Sequence, residues 1–293
     1  MALHAGLCVS AVDIEALQGW VGNTETYCDV ISAAPVAALS ASLDYLSPVA
    51  GVGDALPPGW HWLYFQEAVA ASNLAVDGHA RRGGFMPPIP LSRRMWAGGR
   101  LRFFSPISIG DEARRVTTIA SIAYKVGRSG ELIFVTLRHQ IFCQGTLAVE
   151  EEQDLVYRDY GAAAGVLMSA PAEAQWSREI CPDSVLLFRY SALTFNSHRI
   201  HFDQSYARQV EGYASLVVHA PLTATLLLDL LRRELPGTAI AEFEFRAIRP
   251  LLEGAPLFLQ GRRDDQKASL WVLDDSGALA MQATATLIKA EDF

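Results

Sequence analysis

Two stretches far apart in the chain follow one pattern. Gly99-Arg-Leu-Arg-Phe-Phe-Ser-Pro106-Ile-Ser-Ile-Gly110 alternates polar and apolar residues, breaks at proline and turns at glycine. Glu242-Phe-Glu-Phe-Arg-Ala-Ile-Arg-Pro250-Leu-Leu-Glu-Gly254 does the same, with the glycine again four positions after the proline. Alternation at period two marks a half-buried strand, and a proline ends or edges a strand because it has no N–H for the ladder. Each copy is followed by two further strand-like runs around a Ser-Gly turn. The first set is Val116 to Tyr124, Gly127-Arg-Ser-Gly130 and Leu132 to Cys143; the second is Ser269 to Leu273, Asp274-Asp-Ser-Gly277 and Leu279 to Ile288. In the last run Leu279, Met281, Ala283, Ala285 and Leu287 share one face. Short turns between alternating runs make antiparallel meanders, so the pattern predicts one meander built twice. A chain of 293 residues has room for two units of about 150 residues. They are expected at 1–160 and 171–293, with the link near Arg158 to Pro171, where glycine and alanine replace the strand pattern.

The second half adds one long apolar helix. His219-Ala-Pro221 opens it, with proline in the first turn, where an N–H has no partner anyway. Leu222, Leu226, Leu227, Leu230 and Leu231 form its buried face, and Leu235-Pro-Gly237 stops it. A helix this apolar must be wrapped by other structure. A curved antiparallel sheet around one central helix meets these demands, which is the hotdog fold. The expected class is α+β, a double hotdog of two diverged copies. In the first half Pro57-Pro-Gly-Trp-His-Trp-Leu-Tyr-Phe65 and Gly83-Gly-Phe-Met-Pro-Pro-Ile-Pro90 are too rich in proline and glycine for a matching helix. That copy is expected to be degenerate.

Charge and cysteine usage exclude several functions. A net charge of −8 and a pI near 5.4 argue against a nucleic-acid partner, which would meet an unfavourable overall field. Cys8, Cys28, Cys143 and Cys181 lie far apart, without the spacing of a disulfide framework or a cysteine zinc site. Asp13 and Glu15 stand where a signal peptide needs a basic start and an apolar core. No apolar run reaches the roughly 20 residues that cross a bilayer. The expectation is a cytoplasmic protein with no membrane partner.

Polar residues crowd together in Tyr190-Ser-Ala-Leu-Thr-Phe-Asn-Ser-His-Arg-Ile-His-Phe-Asp203, where Asn196, His198, Arg199, His201 and Asp203 fall within eight positions. This stretch resembles the motif of the MaoC-like hotdog hydratases, roughly Leu-Ser-Gly-Asp-x-Asn-Pro-Ile-His-x-Asp. Leu193 and Thr194 match its opening, and Ile200, His201 and Asp203 its end. Tyr206-Ala207, Gly212-Tyr213 and Val217-Val-His219-Ala220 resemble the family's helix-entry segment, and Arg249-Pro250 with Gly254 its arginine–proline strand. Asn196 stands where the family has its catalytic Asp, His198 where it has Asn, and Arg199 where it has Pro. This variant, with Gly83-Gly-Phe-Met-Pro-Pro-Ile-Pro-Leu-Ser-Arg-Arg-Met-Trp-Ala-Gly-Gly99 in the first half, resembles the FAS1-like double-hotdog subgroup. That subgroup holds type 2 hydroxyacyl-thioester dehydratases and bacterial mesaconyl-C4-CoA and itaconyl-CoA hydratases.

The resemblance implies a hydro-lyase that adds water across the double bond of an α,β-unsaturated acyl-CoA, with citramalyl-CoA as the expected product. Such a reaction must deprotonate water, stabilise an enolate-like oxygen and protonate the α-carbon. A neutral imidazole suits the first and last steps, and helix-start amides suit the second. His201 is therefore expected to be the general acid/base. The amides of His219 and Ala220 are expected at the thioester oxygen, with Tyr190 among the substrate-facing groups. Asn196 cannot titrate usefully and is expected to hold water or carbonyl by hydrogen bonds, and His198 is a second candidate for proton transfer. If the substrate carries its own carboxylate, Arg199 is the expected clamp. Asp203 is expected to cap the following helix, Thr194 to be structural near the site, and Arg93, Arg94 and Trp96 to shape either a binding mouth or a strand edge. No phosphate-cradling glycine loop is present. His198 and His201 lack Glu or Cys partners at metal-site spacing. No metal and no cofactor are expected, coenzyme A entering only as part of the substrate. A homodimer is left open. The competing readings are a dehydratase of 3-hydroxyacyl-CoA or acyl-carrier-protein esters, a hotdog thioesterase, and a non-catalytic acyl-thioester-binding protein.

Overall fold

The computed structural model describes residues 12–45, 51–127, 130–159 and 167–289. Ten strands form one antiparallel sheet: β1 (Thr24–Val30), β2 (Arg93–Phe103), β3 (Glu112–Gly127), β4 (Gly130–Cys143), β5 (Thr146–Arg158), β6 (Trp176–Ile180), β7 (Thr238–Ala247), β8 (Leu257–Asp264), β9 (Lys267–Leu273) and β10 (Leu279–Lys289). From the middle outward the first half runs β2, β5, β4, β3, β1, and the second runs β7, β10, β9, β8, β6. The two orders are the same, which is the double hotdog that the repeat predicts. Gly110 and Gly254, the turn glycines of the repeat, both have positive φ, 101° and 80°. The turn residues 128 and 129 and the linker residues 160–166 lie outside the described residues.

The internal match read from the sequence is one strand out of register. It equates the β3–β4 pair with β9–β10, whereas the sheet order equates β4–β5 with β9–β10 and β3 with β8. Two strands were hidden. β5 carries the run Glu150-Glu151-Glu152, whose charges mask the alternation. β8 contains Gly261, where a Cβ would sit 2.7 Å from Leu270 Cδ2.

The halves join where β2 pairs with β7, Gly99 opposite Phe245 and Leu101 opposite Phe243. A side chain at Gly98 would meet the Phe245 carbonyl oxygen at 2.6 Å, so the seam needs glycine to close.

Five α-helices complete the described structure: α1 (Ile14–Gln18), α2 (Ala33–Ser42), α3 (Ser184–Leu193), α4 (Gln204–Gln209) and α5 (Ala220–Glu234). None is long and apolar enough to cross a membrane. α5 begins and ends where its capping residues predict and packs on β2, β7, β8, β9 and β10, so it is wrapped by strands of both halves. In the first half the described residues between α2 and β2 hold only short 3₁₀ turns, at Trp60–Leu63 and Ala71–Asn73.

All residues of α5 from Leu222 to Leu231 are buried, Asp229 included. Three arginines compensate that carboxylate: Arg233 at 2.8 Å, Arg178 of β6 at 2.9 Å and Arg232 at 3.2 Å. Removing one partner of a buried ion cluster leaves desolvated charge behind. Asp229→Ala is expected to lower unfolding free energy by about 3–5 kcal/mol, read from the urea midpoint.

Candidate active site

A cavity of about 1310 Å³ runs between the halves and is lined by residues of both, from His201, Tyr190 and Ala220 to Trp96, His139 and Glu151. The start of α5 lies in its wall. His219 is the N-cap residue and is fully buried. The amides of His219 and Ala220 donate to no acceptor among the described residues. Their N–H groups carry the positive end of the helix dipole.

Behind that start lies a row of imidazoles. His201, in the 3₁₀ turn Arg199–His201, stacks on His219 with centroids 3.7 Å apart. His198 packs edge-on against His201 at 5.3 Å, and His79 lies 4.2 Å from His198. His201 Nδ1–H donates to the Val217 carbonyl at 2.7 Å. A carbonyl only accepts, so the neutral ring keeps its lone pair on Nε2. The far ring, His219, has Nε2 against Ser191 Oγ at 2.8 Å.

Burial keeps these rings neutral. It pushes His201 down to about 4, opposed by the Val217 hydrogen bond and reinforced by His79. His79 is also pushed to about 4, by burial and by Arg94, against the pull of Asp77. His198 and His219 are lowered by burial and by neighbouring histidines.

Asp77 and His79 come from the first half and were not anticipated. His79 Nδ1–H donates to Asp77 Oδ2 at 3.0 Å. Burial alone would raise the Asp77 carboxyl, but hydrogen bonds and charge from His79 hold it below the usual range. The loop that carries them is tied to the second half: Arg199 N–H donates to Asp77 O at 2.9 Å and Ser197 Oγ to Gly78 O at 2.5 Å. Any side chain at Gly78 would collide with Ser197 O, at 1.8 Å. Asp77, His79 and His198 present ligand atoms within 4.8 Å of one another, enough to hold a metal ion. Reading metal spacing along the chain alone overlooked this trio. Its direct Asp77–His79 hydrogen bond already satisfies two of the three atoms, as in a hydrogen-bonded dyad.

The other expected residues fall as follows. Tyr190 is buried and lines the cavity beside His219. Asn196 also lines it; its Oδ1 accepts from His198 N–H at 3.0 Å, and its Nδ2 has no partner among the described residues. Phe195 stands where the resembled motif has glycine and takes a φ of 50°, backbone for which glycine is the ordinary choice. Thr194 caps α3 through Oγ1 to Tyr190 O at 2.8 Å. Asp203 accepts from Tyr206 N–H at 2.9 Å and so caps α4.

Arg199 is not placed as a clamp. Its Nη2 and Nε donate to Asp203 Oδ2 at 2.7 and 3.1 Å, Nη1 donates to Val76 O, and the guanidinium lies over Tyr206. Asp203, four residues on, draws it out of the cavity wall. Arg93, Arg94 and Trp96 of β2 do line the cavity.

A family model for hydroxyacyl-thioester dehydratase type 2 matches residues 59–253. The chain belongs to that family. A mesaconyl-C(4)-CoA hydratase of Chloroflexus aurantiacus is 45% identical over 271 residues, covering 92% of this chain and 96% of that protein. The mitochondrial hydroxyacyl-thioester dehydratase type 2 of Schizosaccharomyces pombe is 31% identical over 260 residues, covering 78% and 87%. Among solved structures, a double-hotdog protein of Mycobacterium tuberculosis superposes with a TM-score of 0.57 at 16% identity, covering 92% and 96%, which speaks to the fold alone.

This member of the dehydratase family is therefore a hydro-lyase of acyl thioesters. Its cavity continues into the first half, where buried Glu151 accepts from Trp62 Nε1 at 3.0 Å and lies 2.9 Å from His61 Nε2. Their sequence neighbours carry no motif that would have marked them.

The buried imidazoles couple stability to pH. In the unfolded chain histidine takes a proton near pH 6.5, whereas folded His79 and His201 do so only near 4. Between those values the unfolded state binds more protons, so stability falls as pH is lowered below 6.5. The urea midpoint is expected to drop from pH 7.5 to pH 5, and to drop less in the His201→Ala protein.

Proposed function

We propose that this enzyme hydrates a short enoyl-CoA that carries a free carboxylate, with mesaconyl-C4-CoA as substrate and citramalyl-CoA as product. The observation that carries the reading is the 45% identity to a mesaconyl-C(4)-CoA hydratase across nearly the full length of both chains. The imidazole row beside the open amides of α5 supports the same chemistry.

In this reading His201 Nε2 takes a proton from water as the hydroxyl oxygen bonds to the β-carbon. The π electrons move to the thioester oxygen, held by the amides of His219 and Ala220. Collapse of the enolate takes the proton from His201 to the α-carbon, so none is gained or lost. A ring whose conjugate acid lies near 4 is a modest base but surrenders its proton readily, which suits the second transfer. Asn196 Nδ2 hydrogen-bonds the incoming water, and the Asp77–His79 pair with His198 orders the polar side of the site. No step needs a metal.

His201→Ala is expected to lower kcat by about 10²–10⁴-fold in protein that circular dichroism shows to be folded, measured as loss of double-bond absorbance. Unchanged turnover would remove His201 from the mechanism. The acid limb of kcat/KM in the parent is expected near pH 4, because His201 is unprotonated above that. A limb at the ordinary histidine value would point to another group.

A further inference from the structure

The cavity wall is rich in arginine, and most of these groups have an acidic neighbour. Arg93 pairs with Glu211 at 2.9 Å and Arg249 with Asp274 at 3.0 Å. Arg115 lies beside the rings of Tyr27 and Phe65 in the field of Glu151 and Glu25. Arg158 acts on Glu211. Arg94 differs from all four. It is half-buried, lines the cavity, and forms no ion pair with any described residue. Its charge acts on His79, His198 and Arg82.

A guanidinium held away from water without a counter-anion is costly, and its planar fork matches a carboxylate in two parallel hydrogen bonds. Arg94 lines the same cavity as His198 and disfavours its protonation, and His198 in turn packs against the proposed base His201 at 5.3 Å. In the C4 thioester of mesaconic acid, the free carboxylate is attached to the carbon that receives the hydroxyl. The attacking oxygen, giving its proton to His201, brings partial negative charge up against that carboxylate on the same carbon. A cation at that point lowers the repulsion as well as binding the ground state.

We propose that Arg94 binds the carboxylate on the β-carbon of the substrate and makes the site selective for dicarboxylic over neutral enoyl thioesters. The assignment rests on the hydration reading above and names the residue that gives it specificity. It is an ion pair only, with no proton transferred.

The test measures kcat and KM for mesaconyl-C4-CoA and for crotonyl-CoA with the parent, Arg94→Met and Arg94→Lys proteins, each checked for folding by circular dichroism. The parent is expected to prefer the dicarboxylic ester. Arg94→Met is expected to lower kcat/KM for that ester by about a hundredfold or more and for crotonyl-CoA far less, so that the preference collapses. Arg94→Lys keeps the charge without the fork and is expected to recover part of the preference. Arg199→Met, which removes a guanidinium already paired with Asp203, is expected to keep the preference intact. Equal losses on both esters in folded Arg94→Met, or an undiminished preference, would overturn the assignment. If Arg94→Met does not fold, Arg94→Lys decides: a preference equal to the parent's overturns the assignment, and a reduced one upholds it. A parent that hydrates crotonyl-CoA but not the dicarboxylic ester overturns the substrate reading itself, and the Arg94 proposal with it.

Discussion

The burial of α5 is the constraint on which the rest of this structure depends. Ten consecutive residues, Leu222 to Leu231, are buried, so the helix is stable only where a sheet closes around it. Strands of both halves cover it: β2 of the first half and four strands of the second. Once the helix is in place, its N-terminus must end inside the protein. That buries His219, stacks His201 on it and leaves the amides of His219 and Ala220 without an acceptor among the described residues, Ala220 lining the cavity. The single acid in the buried face, Asp229, is tolerated because three arginines surround it.

The two halves divide the work. The second supplies the central helix, the His201 turn and the amides. The first has no matching helix among its described residues, and there a loop-rich segment brings Asp77 and His79 against the His198 turn. The cavity extends into this half, walled by polar residues such as Glu151 and His139. A degenerate copy is thus the source of room and of polar groups. The β2–β7 seam, closed at Gly98 and Gly99, holds the two contributions in register.

The electrostatics of the site follow from this burial. Four imidazoles packed ring to ring could not all be charged, and desolvation with mutual repulsion keeps them neutral. Neutral rings present lone pairs rather than cations. Positive charge in the wall comes instead from arginines, Arg94 among them. Such a cavity accommodates an acid without titrating its own bases.

Much of this protein was legible in its residues because the signals are local. Period-two alternation marks the strands, proline and glycine mark their ends, and the residues around His219 and Leu235 bound α5. The Asp203 cap and the position of His201 in a short motif also need only neighbours along the chain. The repeat predicted two copies, although charge on β5 and a glycine in β8 displaced the match by one strand. What the sequence by itself could not decide is which side chains meet across the seam. Arg199 looked free until Asp203 and Val76 took its donors. Asp77 and His79 had no motif until the first half folded against Ser197 and Arg199. Local structure follows from backbone preference and hydrophobic period, which are written along the chain. How the two halves' polar loops meet depends on contacts more than a hundred residues apart, and only the closed sheet around α5 determines those.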